Sequence, residues 1–456
     1  MELALWGGNF NPPGTHHTEI ARALSKIADR VVIVPAGPRE EKLGQDAIAC
    51  SFRAALVDLA FSGIERVELD FSDLENQVFT TNYQLAKRYV DTDVWHVVPQ
   101  EFVAGGATGD SMIHRWWQCA EEMWQNANFL VVHTRDRELN RSDLPPNHRL
   151  VEVNTHGRSL DIRLSLVRGE DVSDHIDAPV LNFINSRGLY RLSTPAHSRK
   201  VSLAGKRGFA FFDDRNVAAA KWAQQFAGIS ADDADYIVAV GGDGTMLRAI
   251  ERHWERRIPF FGVNFGHLGF LLNDREDVLS ASFPPDQVIV RDLPMLRVEY
   301  DLIDGTTVVD LAFNDAWVER STGQTAWIEV KLDDQVRFEK LVCDGVLACT
   351  AAGSTAYATS MGAAPMLADT DAWMLVGSNV MTPRGWKSAP ISMNSSITLR
   401  NLDLEKRPIQ GFIGGKPLGD LTEMRIRPSR TAFVELAFLP EHDMAKKITN
   451  LHFPSS

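Results

Sequence analysis

Cysteines are few in this sequence, long apolar runs and net positive charge are lacking, and each shortage argues against a class of protein. Its 456 residues include four cysteines without a Cys-x-x-Cys pair, which argues against a disulfide framework and suits a reducing compartment. No apolar run is long enough to cross a bilayer. The formal net charge of −13 argues against a general binder of nucleic acid or of anionic membranes. We therefore expect a cytoplasmic protein that binds neither nucleic acid nor membrane.

The apolar pattern predicts an α/β chain with a change of architecture part-way along it. In the first half, short apolar strands alternate with helices, which predicts a doubly wound parallel sheet. From about Leu293 apolar residues alternate with polar ones, with a hairpin turn at Asp304–Gly305, which predicts antiparallel strands. A stretch rich in Pro, Ser and basic residues interrupts the pattern and predicts a solvated linker. The predicted segments are a first domain at 1–193, a linker at 194–207, an α/β lobe at 208–292 that the chain re-enters at 430–456, and a β-rich domain at 293–429.

The most informative stretch is Tyr236–Leu247, where an apolar strand leads into a glycine turn. Gly241, Gly242 and Gly244 surround one acid, Asp243, and helical spacing follows. Such a turn lets backbone N–H groups approach a phosphate closely. The acid then makes sense as a metal ligand or as the base for an incoming hydroxyl group. Alone, the pattern also fits a plain structural turn with a solvated aspartate.

Three further segments follow the turn in a fixed order: Asn264–Phe270, the pair Asn314–Asp315, and Cys343–Tyr357. Together with the turn they resemble NAD kinase over residues 208–456. The resemblance implies an α/β lobe followed by an antiparallel β-sandwich. It also implies transfer of the γ-phosphoryl group of ATP to the 2′-hydroxyl of the adenosine ribose of NAD, which gives NADP.

The resemblance also implies roles for single residues. Asp243 would activate the hydroxyl group, with Mg²⁺ or another divalent metal accompanying ATP. Asp344 would recognise the nicotinamide end, in the family often from a neighbouring subunit, so a homo-oligomer is expected. Lys416 answers phosphate charge or is only a surface lysine, and both interpretations stay open. The residues assigned to NAD or ATP binding are Gly241, Gly242, Gly244, Thr245, Asn264, Asn314, Asp315, Asp344, Gly353, Ser354, Thr355, Ala356, Tyr357, Ser360 and Lys416.

A second resemblance concerns the first 190 residues. Gly7–His17 resembles the turn of nicotinamide or nicotinate mononucleotide adenylyltransferases, which reads Gly-Gly-Ser-Phe-Asp/Asn-Pro and then His-x-Gly-His. Arg158–Arg163 resembles the second phosphate motif of that family. The resemblance implies a Rossmann-like nucleotidyltransferase domain that joins a mononucleotide to ATP and releases pyrophosphate. The residues carried over are Gly8, Asn9, Phe10, His17, Ser159 and Arg163.

This first half departs from its family at two positions. Gly14 stands where the first catalytic histidine belongs, and Leu160 replaces a threonine. The leading hypothesis is a fusion enzyme that makes NAD from NMN or nicotinate mononucleotide and then phosphorylates it. One alternative is an NAD kinase with an inactive, nucleotide-sensing first domain. Another is a non-catalytic NAD sensor, against which the presence of Asp243 argues.

Overall fold

The computed structural model describes residues 2–38, 48–89, 92–134, 137–155, 157–190, 198–266, 269–368, 370–442 and 444–453. The chain divides into two compact units, unit 1 at Met1–Ala196 and unit 2 at His197–Ser456. Among the described residues, no helix combines the length and the apolar character needed to span a bilayer.

Unit 1 contains a parallel sheet of six strands. They are β1 (Glu2–Gly8), β2 (Arg30–Pro35), β3 (Val67–Leu69), β4 (Asp93–Pro99), β5 (Asn128–Thr134) and β6 (His148–Val153). Their order across the sheet is β3-β2-β1-β4-β5-β6, the order of a doubly wound sheet. The predicted parallel α/β pattern is therefore confirmed here. The apolar pattern did not predict β6, because only two residues of this edge strand are buried.

The helices of unit 1 lie between or after its strands. They are α1 (Thr15–Leu24), α2 (Cys50–Phe61), α3 (Ser72–Asn76), α4 (Asn82–Ala86), α5 (Met112–Trp116), α6 (Ala120–Asn126), α7 (Ser159–Arg168) and α8 (Ala178–Arg187). In α8, Pro179 lies in the first turn and Gly188 ends the helix in the left-handed conformation. The first glycine turn lies between β1 and α1, at the carboxyl end of a central strand, where such sheets bind ligands.

Unit 2 begins with its own α/β part. Its first strands are β7 (Ser198–Val201), β8 (Gly208–Phe212), β9 (Tyr236–Gly241), β10 (Phe260–Asn264) and β11 (Asn273–Asp274). The helices of the unit are α9 (Val217–Ala223), α10 (Asp243–His253), α11 (Arg275–Ser280), α12 (Tyr357–Ser360) and α13 (Met444–His452). β8, β9 and β10 pair in parallel, so their carboxyl ends meet at one edge of the sheet.

The rest of unit 2 is mostly antiparallel, as the alternating pattern predicts. Its strands are β12 (Val288–Leu302), β13 (Thr307–Ala312), β14 (Asp315–Arg320), β15 (Ala326–Leu332), β16 (Gln335–Cys343), β17 (Gly345–Cys349), β18 (Ala372–Ser378), β19 (Ser388–Ser392), β20 (Ile397–Asn401), β21 (Ile409–Ile413) and β22 (Lys416–Phe438). Leu341 of β16 and Ile391 of β19 come from opposite ends of the strand order yet belong to one buried cluster. The sheet therefore folds over a common core, as in a sandwich.

Part of the predicted linker is a strand. β7 pairs with β12, and the Arg199 guanidinium lies 3.2 Å from Asp292 and 2.6 Å from Glu435 in a buried ion-pair cluster. The prediction of a solvated linker is wrong for Ser198–Val201. The sequence pattern could not show the ion pairs of Arg199, because Asp292 and Glu435 are distant in sequence. The predicted linker residues 194–197 lie outside the described residues. β12 and β22 also run through the predicted lobe boundaries at 292 and 430.

Candidate functional site

The glycine turn of unit 2 joins a wholly buried strand to the start of a helix. α10 begins at Asp243 with Gly242 as its N-cap, and Gly244 is exposed in the first turn. A Cβ atom at Gly241 would lie 2.4 Å from Oγ1 of Thr245, so a larger residue does not fit. The first turn of a helix leaves backbone N–H groups without intrahelical partners, and the helix dipole favours an anion there. The turn therefore has the geometry of a phosphate site.

Two backbone groups hold the carboxylate of Asp243. The N–H of Phe270 donates to Oδ2 and the N–H of Leu271 donates to Oδ1, each at 3.0 Å. Burial raises the pKa of Asp243, while these bonds and the charge of Lys447 oppose the rise. Each oxygen keeps a lone pair, so the fixed carboxylate can accept a proton from a hydroxyl group placed at the turn.

The end of β10 closes the same turn from the side. The N–H of Phe265 donates to the carbonyl oxygen of Gly241 at 2.8 Å. Asn264 is buried, and its Oδ1 accepts the N–H of Gly266 at 2.9 Å. Asn264 therefore shapes the loop beside the glycine turn. Leu268, which belongs to the same motif, lies outside the described residues.

Asn314 and Asp315 bring buried polar atoms to the start of β14. Asn314 is 7% exposed, and within the described part of the chain its Oδ1 has no hydrogen-bond partner. Asp315 is 4% exposed, and burial raises its pKa to about 7. Buried polar groups normally have partners, and perturbed carboxyl groups cluster at functional sites. The pair is suited to a ligand that supplies hydroxyl groups.

The loop that follows β17 packs directly on Asn314. The N–H of Thr350 donates to the carbonyl oxygen of Asn314 at 2.9 Å. A Cβ atom at Gly353 would lie only 2.1 Å from the same oxygen. Glycine is therefore required at this position by the close approach of two backbones.

The polar residues of this loop differ in what they can offer a ligand. Ser354 is fully buried, and its hydroxyl donates to the carbonyl of Ala351 at 2.6 Å and accepts the N–H of Met366 at 2.7 Å. The Thr355 hydroxyl donates to a carbonyl oxygen one turn earlier in the same loop. These contacts give Ser354 a structural role in holding the loop, whereas the sequence predicts ligand contact.

The aromatic residue of the loop stays accessible. Tyr357 is 41% exposed and its ring meets that of Trp317 edge-on, with centroids 5.1 Å apart. Burial and nearby carboxylates, Asp315 among them, raise its pKa. Ala356 precedes it and the exposed Ser360 ends the short helix. An aromatic face near Asp315 can stack on a base.

One buried cluster brings these segments together. It contains Met246 of α10, Leu271 of the loop that holds Asp243, Phe313 and Ala352. Phe313 directly precedes the Asn314–Asp315 pair, and Ala352 lies in the loop after β17. The predicted residues from three distant parts of the sequence thus surround a single core.

Two predicted binding residues already have charged partners. Asp344 lies 2.8 Å from the Arg320 guanidinium and accepts a bond from Asn379 at 2.8 Å. Lys416 forms an exposed ion pair with Glu251 of α10. These contacts compete with the predicted roles in recognising a ligand.

Sequence reasoning missed three charged residues near the turn. Arg248 donates to Oγ1 of Thr245 at 3.3 Å and lies 3.6 Å from Asp213, which follows β8. Arg248 follows Thr245 by three residues on a predicted helix, so helical spacing was an available signal. Lys447 contacts the Asp243 loop from more than 170 residues away in sequence, and no local pattern signals this.

The glycine turn of unit 1 is held by contacts to its backbone. Phe10 is buried in the left-handed conformation, with φ 43°, and its ring lies 2.9 Å from where a Cβ atom of Gly8 would be. The carbonyl oxygen of Asn9 accepts a bond from Arg53 at 2.7 Å. The turn is therefore rigidly supported.

Burial favours the neutral form of the two adjacent histidines of this turn. Burial lowers the pKa of His17 well below its usual value and that of His16 to about 4. Nδ1 of His17 accepts the N–H of Gly14 at 3.1 Å, which leaves the proton on Nε2. A Cβ atom at Gly14 would lie 2.8 Å from the ring of His16. His16 thus occupies the space beside position 14, where the resembling family has its first histidine.

The second motif of unit 1 packs against the first. The Ser159 hydroxyl donates to the carbonyl of Pro12 at 2.8 Å, and Arg163 donates to the carbonyl of Asn11 at 2.5 Å. Leu160, which replaces a threonine of the motif, is 48% exposed. The structure therefore brings Ser159 and Arg163 to the glycine turn, as the resemblance implies.

A cavity of about 950 Å³ opens beside this turn, large enough for a small molecule. Of the six residues predicted for this unit, Gly8 and Asn9 line it. The other four, Phe10, His17, Ser159 and Arg163, do not. Other lining residues are Thr80, Thr81, Trp116 and Trp117.

No group of three or more His, Cys, Asp or Glu side chains in the described ranges could hold a metal ion. Magnesium that accompanies a nucleotide needs only one or two protein carboxylates, because phosphates and water supply the other ligands. Asp243 fits such a role as a single ligand.

Comparison with known proteins identifies the family. A family model described as "ATP-NAD kinase N-terminal domain" matches residues 183–277. The NAD kinase of Xanthomonas campestris pv. campestris is 33% identical over 241 residues, which cover 52% of this chain and 92% of that protein. The chain belongs to the NAD kinase family.

Another curated relative and one solved structure are also similar to part of this chain. The NAD kinase of Rhizorhabdus wittichii is 35% identical over 48% of this chain and 86% of its own length. A crystal structure of yeast NADH kinase complexed with NADH aligns with a TM-score of 0.43 at 20% identity, over 50% of this chain and 71% of that one. Because the curated relatives match only about half of the chain, their NAD kinase name does not account for all of it.

Proposed function

We propose that unit 2 transfers the γ-phosphoryl group of ATP to the 2′-hydroxyl of the adenosine ribose of NAD and so produces NADP. The observation that carries the proposal is the Asp243 carboxylate, fixed by two backbone N–H groups at the start of α10 beside the glycine turn. Membership of the NAD kinase family supports the choice of acceptor.

In the proposed reaction the hydroxyl oxygen forms a bond to the γ-phosphorus, and the bond from that phosphorus to the bridging oxygen breaks. ADP leaves, and the hydroxyl proton passes to Asp243. Such a transfer depends mainly on positioning and charge stabilisation. The backbone N–H groups of the glycine turn would contact phosphate. A magnesium ion brought with ATP would neutralise phosphate charge, and one oxygen of Asp243 would be a candidate ligand while the other receives the proton.

The Asn314–Asp315 pair would recognise the ribose hydroxyl groups of NAD. The unpartnered Oδ1 of Asn314 would accept one of them. Tyr357 would stack on the adenine, since its exposed ring lies near Asp315. Asp344 would reach the nicotinamide end only if it exchanged a contact with Arg320 or Asn379 for the ligand.

The direct test is an assay of the purified full chain with NAD or NADH as acceptor, ATP or polyphosphate as donor, and magnesium. We expect NADP from NAD and ATP, with phosphorus NMR placing the new phosphate on the 2′-oxygen. The absence of a phosphorylated dinucleotide from every combination would contradict the proposal.

We propose a second activity for unit 1, the joining of NMN or nicotinate mononucleotide to ATP with release of pyrophosphate. The supporting observation is that Ser159 and Arg163 pack on the first glycine turn. Gly8 and Asn9 of the same turn line the large cavity. The exposed Trp116 and the neighbouring Trp117 provide aromatic faces for a base or pyridine ring. Nε2 of the neutral His17 would donate to phosphate.

The same preparation tests this activity when each mononucleotide is supplied with ATP and magnesium. Pyrophosphate release with one of them supports a fusion enzyme. If neither yields pyrophosphate while NADP still forms from NAD, unit 1 is not an adenylyltransferase and a nucleotide-sensing domain is favoured. Binding of each mononucleotide by calorimetry then tests that alternative.

A further inference from the structure

A buried lysine of the C-terminal helix contacts the loop that holds Asp243. Lys447 of α13 is 7% exposed, and its Nζ donates to the carbonyl oxygens of Gly269 and Leu272, each at 2.9 Å. The carboxylate of Asp274 lies 2.9 Å from the same nitrogen. An ammonium group has three N–H donors, so these three acceptors satisfy it. Lysine is almost never fully buried without partners, which makes this a specific attachment.

One peptide unit connects the ammonium group to the carboxylate. The carbonyl of Gly269 accepts from Lys447, while the N–H of Phe270, in the same trans peptide, donates to Asp243. The two groups of a trans peptide point in opposite directions, so the planar unit lies between the two charges. The N–H of Leu271 gives Asp243 its second bond. Displacement of this peptide would therefore move the carboxylate.

The far end of the loop is attached independently of Lys447. The Asn273 amide donates to the carbonyl oxygens of Gly262 at 3.0 Å and Ala437 at 3.2 Å. Its Oδ1 accepts the N–H of Leu439 at 2.7 Å. These bonds fix Asn273 to β10 and to the end of β22. Loss of the lysine would therefore loosen residues 269–272 while the sheet stays intact.

We propose that Lys447 is a positioning residue for phosphoryl transfer, because it fixes the 269–272 loop and the loop fixes the carboxylate of Asp243. The inference rests on the proposed kinase function of unit 2. Its consequence is that the docking of α13 is a condition for activity, although the helix contributes no group that touches the reacting atoms. Hydrogen-bonded chains of this kind act as a unit, so loss of one member affects the others.

The experiment compares Lys447→Met with Lys446→Met, an exposed neighbour on the same helix, in the full chain. We expect Lys447→Met to lower kcat for NADP formation by about 10- to 100-fold, because small misplacements of catalytic groups have effects of this size. We expect KM for NAD to change by less than about threefold, since the binding groups stay in place. Amide hydrogen exchange at Phe270 and Leu271 should rise in this variant alone.

An unchanged kcat in folded Lys447→Met, or a kcat that falls equally in Lys446→Met, would overturn the inference. If Lys447→Met does not fold, Lys447→Arg decides instead. Its planar guanidinium cannot reproduce the three contacts of an ammonium group, so kcat should still fall at unchanged KM, and a wild-type kcat counts against the inference. The exchange measurement needs no activity, so a wild-type chain without kinase activity refutes the proposed function and leaves the loop contact testable.

Discussion

The two glycine turns of this chain have the same local design and differ in the charged group that each one carries. Both follow a strand of a parallel sheet and precede a helix. In unit 2 the turn carries a carboxylate, Asp243, held by a backbone loop. In unit 1 the side chains of Arg53, Ser159 and Arg163 donate to carbonyl oxygens of the turn, and its histidines are neutral.

The difference shows what a glycine turn can and cannot indicate. In both units the turn would allow a phosphate to approach closely, because that depends on small residues and a helix start. The chemistry depends on the group kept beside it. A fixed carboxylate can receive a proton, whereas the histidines and the backbone-bound arginines of unit 1 could only offer hydrogen bonds and positive charge to a ligand. The following predictions test this division, from the largest expected effect to the smallest.

Asp243→Asn should remove the defining group of the unit 2 turn. We expect NADP formation to fall by about 10²- to 10⁴-fold, because an amide cannot accept the hydroxyl proton. Rate assays of the purified variant measure the effect, and calorimetry with NAD shows whether the binding site is retained. Asp277→Asn, an exposed change on α11, is the matched control and should keep full activity. A normal rate of NADP formation in Asp243→Asn would show that the Asp243 carboxylate is not needed for the chemistry of the unit 2 turn.

Asp315→Asn tests the buried carboxyl group at the start of β14. Burial raises the pKa of Asp315 from 3.8 to about 7, so the folded state keeps this proton over a pH range in which the unfolded state has lost it. The protonated carboxyl group therefore stabilises the folded state fully below pH 3.8, and this stabilisation is lost as the pH rises through 7. The decline in the free energy of unfolding between pH 5 and 8 should shrink in the variant by an amount on the order of 2 kcal/mol.

Thermal unfolding of the ligand-free protein at several pH values measures this difference. Asp310→Asn, at an exposed position of β13, is the matched control variant. If Asp315 also holds a ribose hydroxyl, its replacement should raise KM for NAD by about tenfold, equal to 1.4 kcal/mol of binding free energy. A pH profile of stability identical to that of the wild type would show that Asp315 is not buried as a neutral acid.

Gly14→Ala tests how tightly the unit 1 turn is packed. The new Cβ atom would lie 2.8 Å from the ring of His16 and from the carbonyl oxygen of His175, and neither site has room. We expect unit 1 to lose about 1–3 kcal/mol of stability, as is usual for overpacking, while NADP formation by unit 2 keeps its rate. Gly63→Ala, where nothing lies within 4 Å of the new atom, is the control.

Adding His16→Gly to Gly14→Ala restores part of the space and should recover part of the stability. The carbonyl of His175 stays close, so full recovery is not expected. Unfolding monitored by tryptophan fluorescence, together with the kinase rate, separates the two units. If Gly14→Ala were as stable as the wild type, the ring of His16 would be able to move away from the new Cβ atom. Packing would then not be the reason why glycine, rather than histidine, occupies position 14.

Local chemistry explains which of these features could be predicted from the sequence. The glycine turn, the acid within it and the alternating strands depend on neighbouring residues, and all three were predicted. Arg199 was placed in a linker because its partner Glu435 lies 236 residues away. Lys447 was missed for the same reason. Ser354 matched a motif, yet its hydroxyl is used within the loop, because burial and partners follow from the fold rather than from the motif.

The smallest effect is expected from Lys416→Met, which asks whether Lys416 binds a phosphate group in unit 2. Lys416 is paired with Glu251, and the two side chains are 67% and 50% exposed. Exposed ion pairs contribute about 0–1 kcal/mol, so the free energy of unfolding should fall by no more than about 1 kcal/mol. KM for ATP should change by less than about twofold if Lys416 is only a surface lysine. Glu251→Gln is the companion variant, since it frees the lysine. If Lys416 binds phosphate, Glu251→Gln should lower KM for ATP and Lys416→Met should raise it. Opposite changes of KM in the two variants, measured by steady-state kinetics, would therefore place Lys416 in the nucleotide site.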